Sequence, residues 1–448
     1  MFDKKLFLKL FWPVLIEQVL TTTIGIVNTM MVSGLGIAAI SAVSIVDSLN
    51  YVIMNLFIAF ATGATVIVAQ QIGAKNPAGA NETAAQSMTV CVLTAIASGL
   101  AFILLGFPVI NMLFGVAELQ VKSNAMIYLN YSAVSYPFLA IYSMAAGILR
   151  AGGNTRSPMR ASILSNIVNA GVGALCIYVL GMGVAGVGIA LLLSRITAAG
   201  LLSGILFRNE SGARIKKITF KIRKEIIWPV IHIGLPACVD GLIFNGGKLL
   251  IQTLVTSLGT VSLAANGIAG SVTNLTNIPG NSIAIVAVTI VGQAVGSAVI
   301  GKEIKKIFLT LNLYAMGLLT ISAGILLPLM PLFLGLYSPP AEVKDISLAI
   351  LRIALVVMPL TWPAAFILPS CIRSTGDAVW ITVASILSMW FVRVMGAWIT
   401  VNFTDWGLIG IWVFWCLDWV VRGAAFVIRT FTSPYISGKV RLQIPKNV

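Results

Sequence analysis

Twelve long apolar runs, each about 20 residues or more, dominate this 448-residue chain and leave it few folds to choose from. In the first half they lie near 10–32, 44–70, 86–114, 125–149, 160–180 and 185–207. In the second half they lie near 228–257, 267–295, 307–336, 346–371, 380–401 and 407–430. Charged residues make up only 10% of the chain and hydrophobic residues 58%. A water-soluble domain carries about 25% charged residues, so most of this surface is suited to lipid. Backbone groups in lipid must bond within their own segment, which makes the runs helices. Barrel strands would show ten-residue alternation instead. The expected fold is an all-α integral membrane protein of twelve transmembrane helices.

The charges that remain fix an orientation. Loops on the N-terminal side carry 22 basic residues, including Lys4, Lys5, Lys9, Lys75, Arg156, Arg160, Lys302, Lys305, Lys306 and Arg429. Loops on the opposite side carry Lys122 and Lys344, with Arg352 near a boundary. The alternation survives every crossing, and one missed helix would have scrambled it. Both termini are therefore expected in the cytoplasm of a cell-membrane protein. The net charge of +15 is spread over short tracts between spans. That pattern suits anionic headgroups and argues against a nucleic-acid partner. The first run carries Glu17 and extends to about Val32, too long for a signal peptide's apolar core, so it reads as an uncleaved helix. The five cysteines lie inside apolar runs without a CxxC pair, which argues against disulfides and zinc.

The halves repeat at an offset of 223 residues. Pro13 maps to Pro236, Glu17 to Asp240, Leu35-Gly36 to Leu258-Gly259, and Gln70 and Gly73 to Gln293 and Gly296. Arg150 and Gly153 map to Arg373 and Gly376, and ASILS at 161–165 recurs at 384–388. Six crossings is an even number, so both copies start on the same side. The expectation is two parallel-repeat six-helix bundles: an N-terminal lobe 1–207, a basic cytoplasmic linker 208–226, a C-terminal lobe 227–430 and a cytoplasmic tail 431–448. Parallel repeats suit a transporter whose lobes rock about a central path.

The runs PVLIEQVLTTTIGIVNTMMVSGLG, ATGATVIVAQQIGAKN and AAGILRAGGNTRSP, with GLPACVDGLIFNGGKLL, TIVGQAVGS and CIRSTGDAV in the second half, carry a family resemblance. The chain resembles the multidrug and toxic compound extrusion (MATE) family over nearly its whole length. The resemblance implies two six-helix lobes, outward export of bulky, often cationic or amphipathic compounds, and drive by inward Na⁺ or H⁺. Two positions depart from the family pattern. Asn28, in GIVNT, stands where many members carry an aspartate, and an amide cannot release a proton. Phe244 stands where some branches carry a glutamate.

An ionisable group near the bilayer centre costs at least ~2.5–3.5 kcal/mol, so it should face a cavity or a partner. Nine lie within or near spans: Glu17, Asp47, Arg195, Asp240, Lys248, Arg352, Arg393, Asp418 and Arg422. Glu17 and Asp240 occupy equivalent positions four residues after a proline and lead the candidates for cation or proton coupling, with Asn28 and Asp47. Glu17, Thr21 and Asn28 share one helix face. Asn50, Tyr51 and Asn55, and in the other half Asn274, Asn277 and Asn281, form polar stripes that suit a wet substrate cleft between the lobes. Lys248 joins these cleft candidates, either paired to an acid or as a cation that disfavours cationic substrates. Arg150 and Arg373 end helices at the cytoplasmic face and are candidate gates. Asp418 and Arg422, four apart, can pair locally. Pro359, Pro363 and Pro369 lead to the expectation of a broken or kinked tenth helix.

No HExxH, GxSxG, DxD or Walker motif appears, so neither a membrane enzyme nor self-contained ATP drive is supported. No catalytic or metal-binding residue and no cofactor is expected beyond a coupling Na⁺ or H⁺. The expected function is a secondary antiporter that exports bulky compounds by alternating access. The alternative is a flippase-like exporter of lipid-linked or polyanionic substrates. The expected partners are a small-molecule substrate and the bilayer, with the chain acting as a monomer.

Overall fold

The computed structural model describes residues 3–113, 115, 118–208, 215, 221–337 and 339–440. Most of the basic linker 208–226, with Arg214, Lys216 and Lys217, and tail residues 441–448 lie outside the described residues. Twelve membrane-length helices occur among the described residues. The first six are α1 (Lys4–Ser33), α2 (Ile37–Gly73), α3 (Pro77–Leu113), α4 (Leu119–Ala151), α5 (Arg156–Val179) and α6 (Gly183–Arg208). The second six are α7 (Lys224–Ser257), α8 (Thr260–Gly296), α9 (Lys302–Tyr337), α10 (Ala341–Arg373), α11 (Ala378–Phe403) and α12 (Gly407–Thr432). Each apolar run of the sequence falls on one of these helices. The 37 residues of α2 extend about 55 Å, against a hydrocarbon core of about 30 Å. Its ends therefore reach past the hydrocarbon. Large apolar side chains lie on the outside of α3 (Leu100, Leu104, Phe107) and of its repeat partner α9 (Leu309, Ile321, Leu332), as lipid contact requires.

The duplication is visible in backbone detail. α2 and α8 have 37 residues each and start 223 residues apart. Each is preceded by a glycine with positive φ, Gly36 at 93° and Gly259 at 95°. Each is followed by a non-glycine residue in the left-handed region, Lys75 at 57° and Ala298 at 61°. Such residues are uncommon, so their recurrence at one offset marks a common ancestor of the two halves.

By packing, the described residues form two compact units, within 4–238 and 239–440, each with its own interior. The start of α7 packs within the first unit: a Cβ on Gly63 of α2 would meet the Val230 carbonyl. In the first unit α4 is the central helix, packed on α2, α3 and α6. In the second unit α10 plays the same part against α8, α9 and α12.

α10 departs from the expected break. It runs unbroken from Ala341 to Arg373 through all three prolines. Each proline removes one backbone donor without ending the helix. The irregular turns lie elsewhere, as i→i+5 segments at Leu175–Val179 in α5 and Ser388–Val394 in α11.

Close helix approach depends on small residues. A Cβ on Gly147 of α4 would collide with the Thr65 hydroxyl of α2, and one on Gly280 of α8 would collide with the Trp362 ring of α10. These are equivalent helix pairs in the two repeats, and in both a glycine makes room for a side chain of the facing helix. Gly280→Ala should therefore destabilise the detergent-purified protein by about 1–3 kcal/mol through overpacking, read as a lower apparent melting temperature. Gly270→Ala, where nothing lies within 4 Å of the added carbon, should not lower it.

Candidate functional site

Glu17 sits one turn beyond Pro13 on α1 and is buried. Its Oε1 accepts from Arg150 Nη2 at 2.5 Å and from the Tyr142 hydroxyl at 3.1 Å, both on α4. In the second unit, Asp240 Oδ2 accepts from Arg373 Nη2 at 3.2 Å. The two pairs are the same contact made twice, with partners separated by 133 residues in each copy. Both arginines lie in the last turn of their helix, where the helix dipole favours a cation. Each arginine thus ties the end of a central helix to an acid on the first helix of its repeat. Two equivalent serines extend the match. Ser162 lies near Tyr142 beside Glu17, and Ser385 lies near Asp240. Two of the four coupling candidates, Glu17 and Asp240, are therefore bonded to the two gate candidates.

Above Glu17 in the first unit lies a cavity of about 200 Å³ between α1, α4, α5 and α6. Thr21 and Asn28 line it, as their shared face with Glu17 requires. Asn166, Asn169 and Arg195 complete much of its polar wall, and among the described residues lining it there is no carboxylate. The buried Asn169 Oδ1 has no hydrogen-bond partner. Asp47 lies in a neighbouring network rather than on this wall. Its Oδ1 accepts from Asn50 Nδ2 and the Tyr128 hydroxyl, each at 3.3 Å. Asn50 also donates to Ser132 at 3.2 Å and accepts from Tyr136 at 2.8 Å. Arg195 donates to Ser135 Oγ at 2.6 Å and lies within Coulomb range of Asp47.

The equivalent region of the second unit has a different charge pattern. Arg195 corresponds to Asp418, an acid at the same repeat position. Asp418 accepts from Ser388 Oγ at 2.6 Å and from Arg422 Nη2 at 3.2 Å on each oxygen. Arg393 Nη1 stands 3.9 Å from Asp418, and its guanidinium lies over the Trp415 ring at 3.5 Å. Ser388 and Arg393 bracket most of the i→i+5 segment of α11. In a regular α-helix, residues five apart diverge by about 140°. The widened turn brings both onto Asp418. Lys248 forms no ion pair with any described residue and lies over the Phe244 ring at 5.0 Å.

The remaining cleft candidates divide. Asn50 is buried inside the first unit, whereas Tyr51 is exposed and Asn55 donates to the Tyr51 carbonyl at 2.7 Å. Asn274 and Asn281 are exposed and Asn277 is half-buried with an unpartnered Oδ1. Sequence reasoning missed Asp377, which accepts from Arg429 Nε at 2.7 Å and from Ser433 at 2.6 Å at the end of α12. Its partners lie more than fifty positions away, and no motif marks them.

The MatE family model matches residues 13–175 and 236–399, one copy in each half. The chain is 25% identical over 453 residues to the probable multidrug resistance protein NorM of Thermotoga maritima, covering 97% of this chain and 93% of that protein. It is 24% identical over 420 residues to the probable multidrug resistance protein YoeA of Bacillus subtilis, covering 90% and 88%. A MOP superfamily transporter from Pyrococcus furiosus shares the fold, with a TM-score of 0.88, 22% identity and 96% coverage of both chains.

Asp418 is the counter-charge of two buried guanidiniums. Asp418→Asn should therefore cost about 3–5 kcal/mol of stability, seen as a large fall in apparent melting temperature. Ser388→Ala, which removes one hydrogen bond, should cost about 1 kcal/mol. Equal melting of Asp418→Asn and the parent protein would contradict the charge assignment.

Proposed function

The chain belongs to the MatE family, and from that premise we propose that it is a secondary active exporter that moves bulky amphipathic compounds out of the cell in exchange for inward Na⁺ or H⁺. The observation that carries this reading is the duplicated acid–arginine pair inside apolar helices, Glu17–Arg150 and Asp240–Arg373. A carboxylate held by a guanidinium is a two-state element. A proton arriving at the acid removes the charge that the arginine balances, and a sodium ion competes with the guanidinium for the same oxygens. Either event weakens the tie between the first and fourth helix of a repeat and biases one conformation over the other. Alternating access needs such a bias, because a ligand shifts an equilibrium only by its differential affinity for the two states. Asn28 offers an oxygen but no proton, so the acids carry the coupling in this chain. The names of the NorM and YoeA relatives support multidrug export as the class of activity.

The protein works as a single chain in the cell membrane with both termini cytoplasmic. The loop charges support this topology. The native cysteines are all buried, which leaves a quiet background for thiol labelling. A cysteine placed at Lys305 should react with a membrane-impermeant maleimide in everted vesicles only. One placed at Lys122 should react in right-side-out vesicles only. The opposite pattern would invert the topology.

Transport itself is tested in proteoliposomes with fluorescent amphiphiles of both charge signs, under separate Na⁺ and pH gradients. Accumulation against the amphiphile gradient should depend on one of the two ions. Glu17→Gln and Asp240→Asn should each reduce it to the passive level while the protein stays folded. Uphill accumulation at the parent level in both variants, or with neither ion gradient present, would remove these acids from the mechanism.

A further inference from the structure

The two units differ most in the charge of their interiors. In the second unit three cations surround one aromatic ring. Lys248 Nζ lies 5.0 Å from the Phe244 ring centre, and the Arg422 and Arg393 guanidiniums lie at 5.0 and 5.4 Å. One carboxylate, Asp418, serves both arginines, and Lys248 has no acid partner among the described residues. The second acid nearby, Asp240, is bonded to Arg373 and also lies within Coulomb range of Arg422, so four cations stand against two acids. The cluster therefore carries two positive charges in excess. In a membrane-spanning segment that excess is costly unless water or an anion meets it, and for the two buried arginines an anion is the stronger complement.

The hydrogen-bond inventory points the same way. Arg393 is 1% exposed and Arg422 4%. Nevertheless Nε and Nη2 of Arg393 and Nε of Arg422 have no partner. Buried guanidinium donors are normally satisfied, and their natural complement is an oxyanion. Lys248 is exposed on the surface of the unit and offers the point of entry. Beside the cations lie Phe366, packed edge-on to Phe244 at 6.4 Å, and Trp362, stacked on Phe366 at 4.7 Å. An apolar or aromatic body suits those rings.

We propose that Lys248, Arg393 and Arg422 form a binding site for an amphipathic organic oxyanion, with a carboxylate, sulfonate or phosphate at the cations and an apolar body against Phe244 and Phe366. This assignment rests on the export reading and gives its substrate a charge. Cations of similar size are repelled from the site. The oxyanion is drawn either from solution or from the headgroup of a bilayer lipid, since the chemistry recognised is the same.

The test is equilibrium binding to the full chain in phosphatidylcholine nanodiscs without any ion gradient, using radiolabelled taurocholate and, as the cationic counterpart, tetraphenylphosphonium. Taurocholate should bind saturably and about tenfold or more tighter than tetraphenylphosphonium. Lys248→Gln, at an exposed position, should retain the parent melting temperature and weaken taurocholate about tenfold, and Lys248→Arg should keep the parent affinity. Replacing part of the phosphatidylcholine by phosphatidylglycerol separates the sources. Competition with taurocholate supports the site with a lipid anion as its occupant, and unchanged affinity supports it with a free solute. No saturable taurocholate binding, tetraphenylphosphonium binding as tight, or parent affinity in Lys248→Gln would each overturn the proposal. Because no gradient is applied, a failure of ion-driven transport leaves this result standing, and a failure of binding leaves the transport reading standing.

Discussion

A charge in hydrocarbon must be paired or must face water, and that constraint organises this protein. Few ionisable residues enter its spans, and the structure gives most of them a partner. The Glu17–Arg150 contact shows how the sequence arranges it. A proline starts the turn that carries the acid, and the last turn of the neighbouring helix carries the arginine. The arginine then meets two needs at once, the carboxylate and the negative end of its own helix. The same solution recurs at Asp240 and Arg373, where glutamate is shortened to aspartate and the contact lengthens to 3.2 Å.

Around these pairs the two repeats keep their scaffold and change their contents. Helix lengths, the glycines before α2 and α8, and the left-handed residues after them are retained. The interior charges are not. In the first unit Arg195 is set against Asp47 in a network of tyrosines, serines and an asparagine. In the second unit the position of Arg195 holds Asp418, and two arginines have gathered on it. One copy is near neutral and the other is cationic. A duplicated gene that keeps its backbone can thus give its two halves different interior charges.

The spans, the loop alternation and the 223-residue repeat were legible because each is a pattern along the chain. Glu17 and Asp240 stood out for the same reason. Their arginines were also visible, but as separate helix ends, because nothing local links residues 133 positions apart. The equal separation in both halves was the available signal. Other features had none. The stripe of Asn50, Tyr51 and Asn55 reads as one polar face, yet Asn50 turns inward to Ser132 and Tyr136 while Tyr51 stays exposed. The prolines of α10 suggest a break, yet the helix runs through all three. The widened turn of α11 has no proline to mark it and sets the register of Ser388 and Arg393.

Coupling through the acids requires the acid–arginine contact to be an energetic tie within each repeat rather than a coincidence of two helix ends. A double-mutant cycle on Glu17 and Arg150, with each residue replaced by glutamine alone and together and stability followed in detergent, measures that tie directly. The predicted result is a coupling energy of about 1 kcal/mol or more, with the double variant less destabilised than the sum of the single ones. Strictly additive effects, with coupling near zero, would contradict it.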